Sequence, residues 1–371
     1  MIHLDAAATS FPKPPEVAAA VQHWFTDVGV GPGRGDGDAA QRAAREVDAV
    51  RAQVGALTGL PPARIAFVSG ATEGLNLALR ALLHRGDTVV TTAFEHSSVV
   101  RPLTALRAER ELDLVILPPR ADGSLPAADF AATLAARRPA LLVFTHASNV
   151  TGSILDAGEL CALARRHGCR TLLDASQTAG SCDLRVGADV VVASAHKALH
   201  GPPGLGFVAA SPTVTLAPQK QGGTGTSRAL DQHPTEWPTA FEAGTPNTPA
   251  IFGLGAALRW LAATGAERLV RRSHDHLAAL RHALTARPAV RILPQTATHT
   301  AVLSFVHADY DPAELGAVFA AAGIGVRTGY HCAPWLHEHL GTGAGGTVRL
   351  SPGPLLTDAD LAQALAVIAT L

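Results

Sequence analysis

The 371-residue chain predicts an α/β fold, with a mainly parallel seven-stranded sheet in a large domain and a smaller α+β domain after it. Three observations carry this expectation. Seven short apolar runs alternate with stretches of helical period, the pattern of strands joined by crossover helices. Polar residues able to do chemistry stand directly after several of those runs, at the strand ends where open parallel sheets bind ligands. From Ile251 the pattern changes to long amphipathic helices, with fewer strands between them.

In chain order, the first dozen residues end at Phe11-Pro-Lys-Pro-Pro15 and are too few to fold alone, so they are expected to join the C-terminal lobe. The glycine-rich stretch from Gly31 to Gly37 reads as a loop. The apolar runs are Ile65–Val68, Thr88–Thr91, Asp113–Leu117, Leu141–Thr145, Thr171–Leu173, Val190–Ala193 and Gly206–Val208. Between them the helices have readable ends. Asp156-x-x-Glu159 has the form of a capping box, and Gly168 stands just past the end of the same helix. In the lobe, Val290–Leu293 and Ala301–Val306 read as strands, Asp311-Pro312 starts a helix and Thr357 caps the last one. The expected division is residues 16–250 for the large domain, and 1–15 with 251–371 for the small one. No internal repeat is visible.

A hydrophobic content of 47% suffices for a real core, and a net charge of −1 without dense Lys/Arg runs argues against a nucleic-acid surface. The chain opens Met1-Ile-His-Leu-Asp5, with neither a basic leader nor an apolar run near 20 residues, so a cytoplasmic protein without a membrane span is expected. Cys161, Cys169, Cys182 and Cys332 form no CxxC pair, which speaks against a zinc ribbon or a disulfide framework. The first three fit as small buried hydrophobes.

Lys197 follows the run Val190–Ala193 and precedes the breakers Gly201-Pro-Pro-Gly204. A partly desolvated amine at a strand end has a lowered pKa and can form a Schiff base with an aldehyde, which is how pyridoxal 5'-phosphate is held. Alone, the residue reads more readily as a solvated strand end. Asp174 and Gln177 end a neighbouring run. An ionised Asp174 would keep a pyridine nitrogen protonated and Gln177 would bond the ring's phenolic oxygen, although an aspartate there can simply start a turn. Ser69-Gly70-Ala71-Thr72-Glu73-Gly74 opens a helix with the apolar face Leu75, Leu79 and Leu82. The backbone from Ala71 and the Thr72 hydroxyl suit a phosphate at the helix N-terminus. Gly222-Gly-Thr-Gly-Thr226 is phosphate-friendly too, but follows no clear strand. His96, at another helix start, either caps that helix or lies over a planar ring. Asn149 and Arg349 suit a substrate carboxylate. Cys332 stands amid basic residues that favour its thiolate. His331, Cys332, His337 and His339 offer zinc donors without a completing spacing, so no metal is expected.

The segments Leu4-Asp-Ala-Ala-Ala-Thr9, Ala71-Thr-Glu-Gly-Leu-Asn76, Glu95-His96, Ser148-Asn149, Asp174-x-x-Gln177, His196-Lys197, Phe241-Glu-Ala-Gly-Thr-Pro-Asn-Thr248 and Arg327-Thr-Gly-x-His-Cys332-Ala-Pro together resemble the cysteine desulfurases. These belong to the class V aminotransferase branch of fold type I pyridoxal-phosphate enzymes. The short cysteine loop is similar to the group II and selenocysteine lyase subfamily. The resemblance covers the whole chain and implies Lys197 as the Schiff-base lysine, Asp174 on the ring nitrogen, Gln177 on the phenolic oxygen and His96 stacked on the ring. It further implies Thr72, Ser194 and His196 on the phosphate, joined by Gly244-Thr245 from the partner subunit of a homodimer. Arg349 and Asn149 match the substrate-carboxylate residues, and Arg327 supports the cysteine loop.

The implied reaction takes L-cysteine to L-alanine through a persulfide on Cys332, passed to an acceptor protein. Rival readings are a C–S β-lyase acting on cysteine S-conjugates, a selenocysteine lyase, and a scaffold without turnover. Departures from the family pattern are Ala6 in place of an asparagine, Ala195 in place of a glycine, a short span from Asp174 to Lys197, and Trp335 where a smaller aliphatic residue is common. Access to Cys332 is where Trp335 bears on the reading.

Overall fold

The computed structural model describes residues 1–33, 37–225 and 231–371. Residues 34–36 of the Gly31–Gly37 stretch, and Thr226 of the second glycine-rich one, lie outside them. After β1 (Ile2–His3), the large sheet is formed by β2 (Ile65–Val68), β3 (Thr88–Thr92), β4 (Asp113–Leu117), β5 (Leu141–Thr145), β6 (Arg170–Asp174), β7 (Val190–Ser194) and β8 (Gly206–Ala210). Their spatial order is β2-β8-β7-β6-β5-β3-β4. Each of the seven apolar runs is a strand, and the differences are one or two residues at the ends. β8 departs from the parallel pattern, running against both β2 and β7. No helix intervenes between Ser194 and Gly206, and a parallel return needs a crossover of a dozen or more residues.

The helices of this half are α1 (Pro15–His23), α2 (Asp38–Thr58), α3 (Ala71–Leu82), α4 (Ser97–Arg110), α5 (Ala127–Arg137), α6 (Ala157–Arg166) and α7 (Thr248–Thr264). Alternate strand residues bury to opposite sides. Val68, Val143, Val192 and Val208 join Leu75 and Leu79 of α3 and Leu103 of α4. Phe67, Phe144, Val191 and Phe207 join Val50 of α2, Phe130 of α5, Leu160 of α6 and Leu254 of α7. With both faces covered, the strands are apolar throughout instead of alternating. α3 lies very close to the sheet: a Cβ on Gly74 would come within 2.8 Å of Val192 and 2.9 Å of Val208. That close approach carries the start of α3 to the end of β7. At α6, Asp156 accepts from the Glu159 N–H, but no reciprocal bond from the Glu159 side chain completes the box.

α8 (Ala266–Thr285), β9 (Val290–Ile292), β10 (Leu303–His307), α9 (Pro312–Ala321), β11 (Ile324–Gly325), β12 (Arg327–Gly329), α10 (Pro334–Leu340), β13 (Thr347–Leu350) and α11 (Asp358–Ile368) complete the chain. β12-β13-β10-β9 form an antiparallel sheet, and β1 pairs in parallel with β11. Leu277, Phe305, Phe319, Leu350 and Ile368 form its core together with Leu4. Asp311 with Glu314, and Thr357 with Asp360, make complete capping boxes on α9 and α11. Among the described residues no helix is long and apolar enough to cross a membrane.

Candidate active site

The carboxyl ends of β5, β6 and β7, the starts of α3 and α4, and β12 and β13 from the smaller sheet converge on one cavity of about 210 Å³. Ala71, Thr72, His96, Asn149, Asp174, Ser194, His196, Lys197, Arg327 and Arg349 all line it. The sequence separations span almost the whole chain, and the strand ends bring them together.

Asp174 closes β6 and is buried. Its Oδ1 accepts from the Ser176 N–H at 2.9 Å and the Ser176 hydroxyl at 2.5 Å, so the residue both starts the turn and faces the cavity. Lys197 follows β7 by three residues. Burial pushes its pKa down, Asp174 opposes this, and Arg349 and Arg327 reinforce it. A buried amine facing two guanidinium groups has the lowered basicity that Schiff-base chemistry requires, with Asp174 only partly offsetting it.

The start of α3 has no capping side chain of its own. Instead the Ala71 N–H donates to the Ser194 hydroxyl at 2.9 Å, tying the helix to the end of β7. Thr72 Oγ1 lies 2.7 Å from Ser98 Oγ, at the first turn of α4. A helix N-terminus ringed by three hydroxyls is an anion seat. His96 is the N-cap of α4, and its Nδ1 accepts from the Ser98 N–H at 3.0 Å. Its ring also borders the cavity, so capping and ring-facing are compatible. Burial, and then Lys197, push its pKa down to about 4, which keeps the ring neutral.

Arg349 is 1% exposed, the largest of the fully buried side chains. It donates to the Asn149 carbonyl at 2.9 Å and to Asp5 Oδ1 at 2.5 Å, while its buried Nε has no partner. An unspent guanidinium donor at the cavity wall is a place for a carboxylate. The Asn149 amide donates to the His331 carbonyl at 2.5 Å.

Three expected residues stand outside this cavity and one stands at its edge. The Gln177 amide donates to the Ala7 carbonyl at 3.0 Å, and the residue lines a neighbouring cavity that shares Lys197. Cys332 is exposed and lines a groove that shares Thr72, His96 and Ser98 with the main cavity. Its Sγ lies 3.6 Å from Arg327 Nη2, and its carbonyl accepts from the Ser97 N–H at 2.6 Å. Gly244 and Thr245 line a groove with Phe67, Glu73 and Lys220, so the chain's own fold does not bring them to Lys197. Of the zinc-donor types, His331 bonds Thr347 and His337 bonds Thr342, each at 2.8 Å. Among the described residues no three such donors converge.

The structure adds groups to which sequence reasoning assigned no role. Asp5 shares Arg349, Ser176 holds Asp174, and Ser98 joins Thr72 to His96. Glu95 is fully buried beneath the site: Thr92 Oγ1 and the Thr145 N–H donate to its Oε1, and Oε2 has no partner. Burial pushes its pKa up to about 8. Glu95 and Asp5 stood within sequence motifs, but Thr145, which bonds Glu95, and Arg349, which bonds Asp5, are distant in sequence. Ala195 fits because residue 201 is glycine, where a Cβ would meet the Ala195 methyl at 3.1 Å.

The family model for aminotransferase class-V matches residues 2–363. The chain belongs to the class V aminotransferase family. It is 33% identical over 348 residues to a cysteine desulfurase of Klebsiella pneumoniae, covering 90% of this chain and 84% of that protein. It is equally identical, over 366 residues, to a probable cysteine desulfurase of Mycolicibacterium paratuberculosis, and spans 95% of itself but only 52% of that longer relative. The apo cysteine desulfurase of Thermococcus onnurineus superposes with a TM-score of 0.91 at 28% identity, covering 100% of this chain and 94% of that one. The Escherichia coli cysteine desulfurase CsdA, in an S-sulfonic acid form, gives 0.89 at 26% identity, covering 99% and 94%. The class V family and these neighbours place the large sheet in fold type I.

Pyridoxal phosphate asks for an amine, an anion for its ring nitrogen and a helix N-terminus for its phosphate. Lys197, Asp174 and the start of α3 supply that donor set within one cavity.

Proposed function

We propose that this class V family member is a pyridoxal-phosphate-dependent cysteine desulfurase, converting L-cysteine to L-alanine and leaving a persulfide on Cys332. The observation that supports it best is the meeting of Lys197, Asp174 and Arg349 in one cavity, with Cys332 in the groove across His96. Bound pyridoxal phosphate supplies an electron sink for bonds at the substrate α-carbon.

Lys197 would anchor the cofactor, Asp174 its ring nitrogen and Gln177 its phenolic oxygen. His96 would cover the ring as a neutral imidazole. Ala71 N–H, Thr72, Ser194 and His196 would hold the phosphate, with Gly244 and Thr245 supplied by a second copy in a homodimer. Arg349 and Asn149 orient the substrate carboxylate, which would displace Asn149 from the His331 carbonyl. The Lys197 amine would move the proton at the substrate α-carbon. Cys332 Sγ, 3.6 Å from Arg327 Nη2, attacks the substrate sulfur: the carbon–sulfur bond breaks with its electron pair left on carbon, a sulfur–sulfur bond forms, and the carbon skeleton, once protonated, leaves as alanine. An acceptor protein in the cytoplasm would then take the outer sulfur from the exposed Cys332.

The division into a body of residues 16–250 and a lobe of 1–15 with 251–371 is part of this reading, with α7 as the connecting helix. It is supported by the core of the smaller sheet, whose buried residues come from Ile2, Leu4 and the stretch from Leu277 to Ile368.

One observation favours the β-lyase alternative: Cys332 lies outside the cavity of Lys197, and elimination from a cysteine S-conjugate needs no thiol. The test is to incubate the pyridoxal-phosphate-loaded protein with L-cysteine and a reductant, and to quantify sulfide, alanine and pyruvate. Sulfide with equal alanine supports the desulfurase; pyruvate in place of alanine replaces it with the lyase.

A further inference from the structure

The carbonyl of the peptide bond joining His196 to Lys197 is gripped by four donors, all from the N-terminal segment. The Ser10 N–H lies 2.9 Å from it, Thr9 Oγ1 and Ser10 Oγ each 3.1 Å, and Lys13 Nζ 2.7 Å. A carbonyl oxygen has two lone pairs, so the group is oversubscribed twofold. Lys13 Nζ also donates to Ser10 Oγ at 2.7 Å, which makes the ammonium the knot of this grip. Lys13 is half-buried, and among the described residues no carboxylate pairs with it. Burying an unpaired ammonium works against folding unless another contact offsets it, and burial does push its pKa down to about 8. The same segment reaches two more site residues: Asp5 bonds Arg349, and the Ala7 carbonyl accepts from Gln177.

We infer that Lys13 is a positioning residue for Lys197, clamping the His196–Lys197 peptide so that the amine is held at a fixed place in the cavity. On its other side the loop is held by its own turns, with the His200 N–H donating to the Lys197 carbonyl and the Gly201 N–H to the Ala195 carbonyl at 2.9 and 2.8 Å, and by the edge of the His200 ring against Trp260 of α7. The N-terminal clamp ties the carbonyl preceding Lys197 to the segment whose Asp5 bonds Arg349.

The inference rests on the pyridoxal-phosphate reading, and its test separates the two. The proteins are wild type, Lys13→Met and Lys13→Arg. The measurements are circular dichroism induced in bound pyridoxal phosphate, kcat and KM for L-cysteine, and amide hydrogen exchange of the cofactor-free protein. Lys13→Met is expected to weaken the induced dichroism, to lower kcat about tenfold at nearly constant KM, and to speed exchange of residues 195–201 selectively. Lys13→Arg, which keeps the charge and the donors, should recover most of each. Unchanged dichroism and exchange in Lys13→Met would overturn the inference. So would a uniform rise in exchange across the molecule that Lys13→Arg shares, since that marks general loss of fold. A wild type that takes up no pyridoxal phosphate would defeat the functional reading instead, while the exchange measurement still decides the clamp.

Discussion

The two sulfur-and-nitrogen arms of this site are built in opposite ways. Lys197 stands on the end of a buried strand, in a cavity walled by Asp174 and Arg349, with its preceding carbonyl clamped from the N-terminus. Cys332 stands on an exposed loop of the other sheet, and both it and His331 adopt left-handed backbone, at φ +60° and +48°. Side chains rarely take that conformation, so the loop stores strain that its neighbours must hold. The difference teaches a division of labour: the sheet end holds Lys197 buried with little freedom, while the thiol arm can be reached from outside.

The largest break in this comparison is at the buried arm. Lys197→Ala should abolish borohydride-trappable pyridoxal phosphate and lower turnover at least about 10³-fold, because anchor and proton carrier are lost together. Absorbance after borohydride treatment reads the first and alanine release the second. The exposed arm should fail differently. Cys332→Ala is expected to lower sulfide release at least about 100-fold with the cofactor absorbance kept and the melting temperature nearly unchanged, since exposed positions contribute little to stability. Pyruvate formation that persists in Cys332→Ala would erase the division and favour the lyase.

Most of the buried arm was legible in the sequence. Runs such as Val190–Ala193 and Thr171–Leu173 mark strands by composition, and a residue directly after a parallel strand has to lie at its carboxyl end, so Lys197 and Asp174 follow from local pattern. The direction of β8 was hidden in its apolar composition, although the missing crossover after Ser194 was there to be read. Asp5 against Arg349, 344 residues away, has no local signal at all. It depends on the segment after β1 meeting the end of β13 in three dimensions, where Asp5 bridges to Ser351. Cys332 was legible through its basic neighbours, whereas its seat across His96, outside the main cavity, depends on how α10 and the loop before it pack. Gly244 and Thr245 line a groove separate from the cavity of Lys197 within this chain, a separation that their local sequence does not announce.

Between the arms lies the pair Asp5–Arg349, and removing one partner probes how far the buried side depends on the N-terminal segment. Asp5→Ala leaves an almost wholly buried guanidinium with only the Asn149 carbonyl. Breaking such a pair is expected to cost about 3 kcal/mol, read as a lower midpoint in denaturant unfolding of the cofactor-free protein. An unchanged midpoint would mean that solvent reaches Arg349 readily, and the contrast in rigidity would weaken.

The smallest expected effects lie in the pH dependence, where the histidines and Glu95 pull in opposite directions. Burial pushes His96, His146, His196, His200 and His337 down to about 4 and His331 to about 2. An unfolded histidine titrates near 6.5, so below that pH the unfolded state binds more protons. Their contribution is present above pH 6.5 and is lost as pH falls toward 4. Glu95, raised to about 8, does the reverse. Below its unfolded value of about 4.5 its contribution is complete, and it is lost as pH rises through 8, where a buried charge forms beside Asp174. Glu95→Gln keeps a neutral side chain at every pH. Relative to wild type its stability should rise between pH 6 and pH 9, by about 2–3 kcal/mol for a carboxyl moved from about 4.5 to about 8, while the histidines lower both proteins alike as pH falls toward 4. Urea midpoints at the two pH values decide this. A variant that loses stability equally at both would show that the carboxyl is needed for its bonds to Thr92 and Thr145, and that its ionisation plays no part in the alkaline limb.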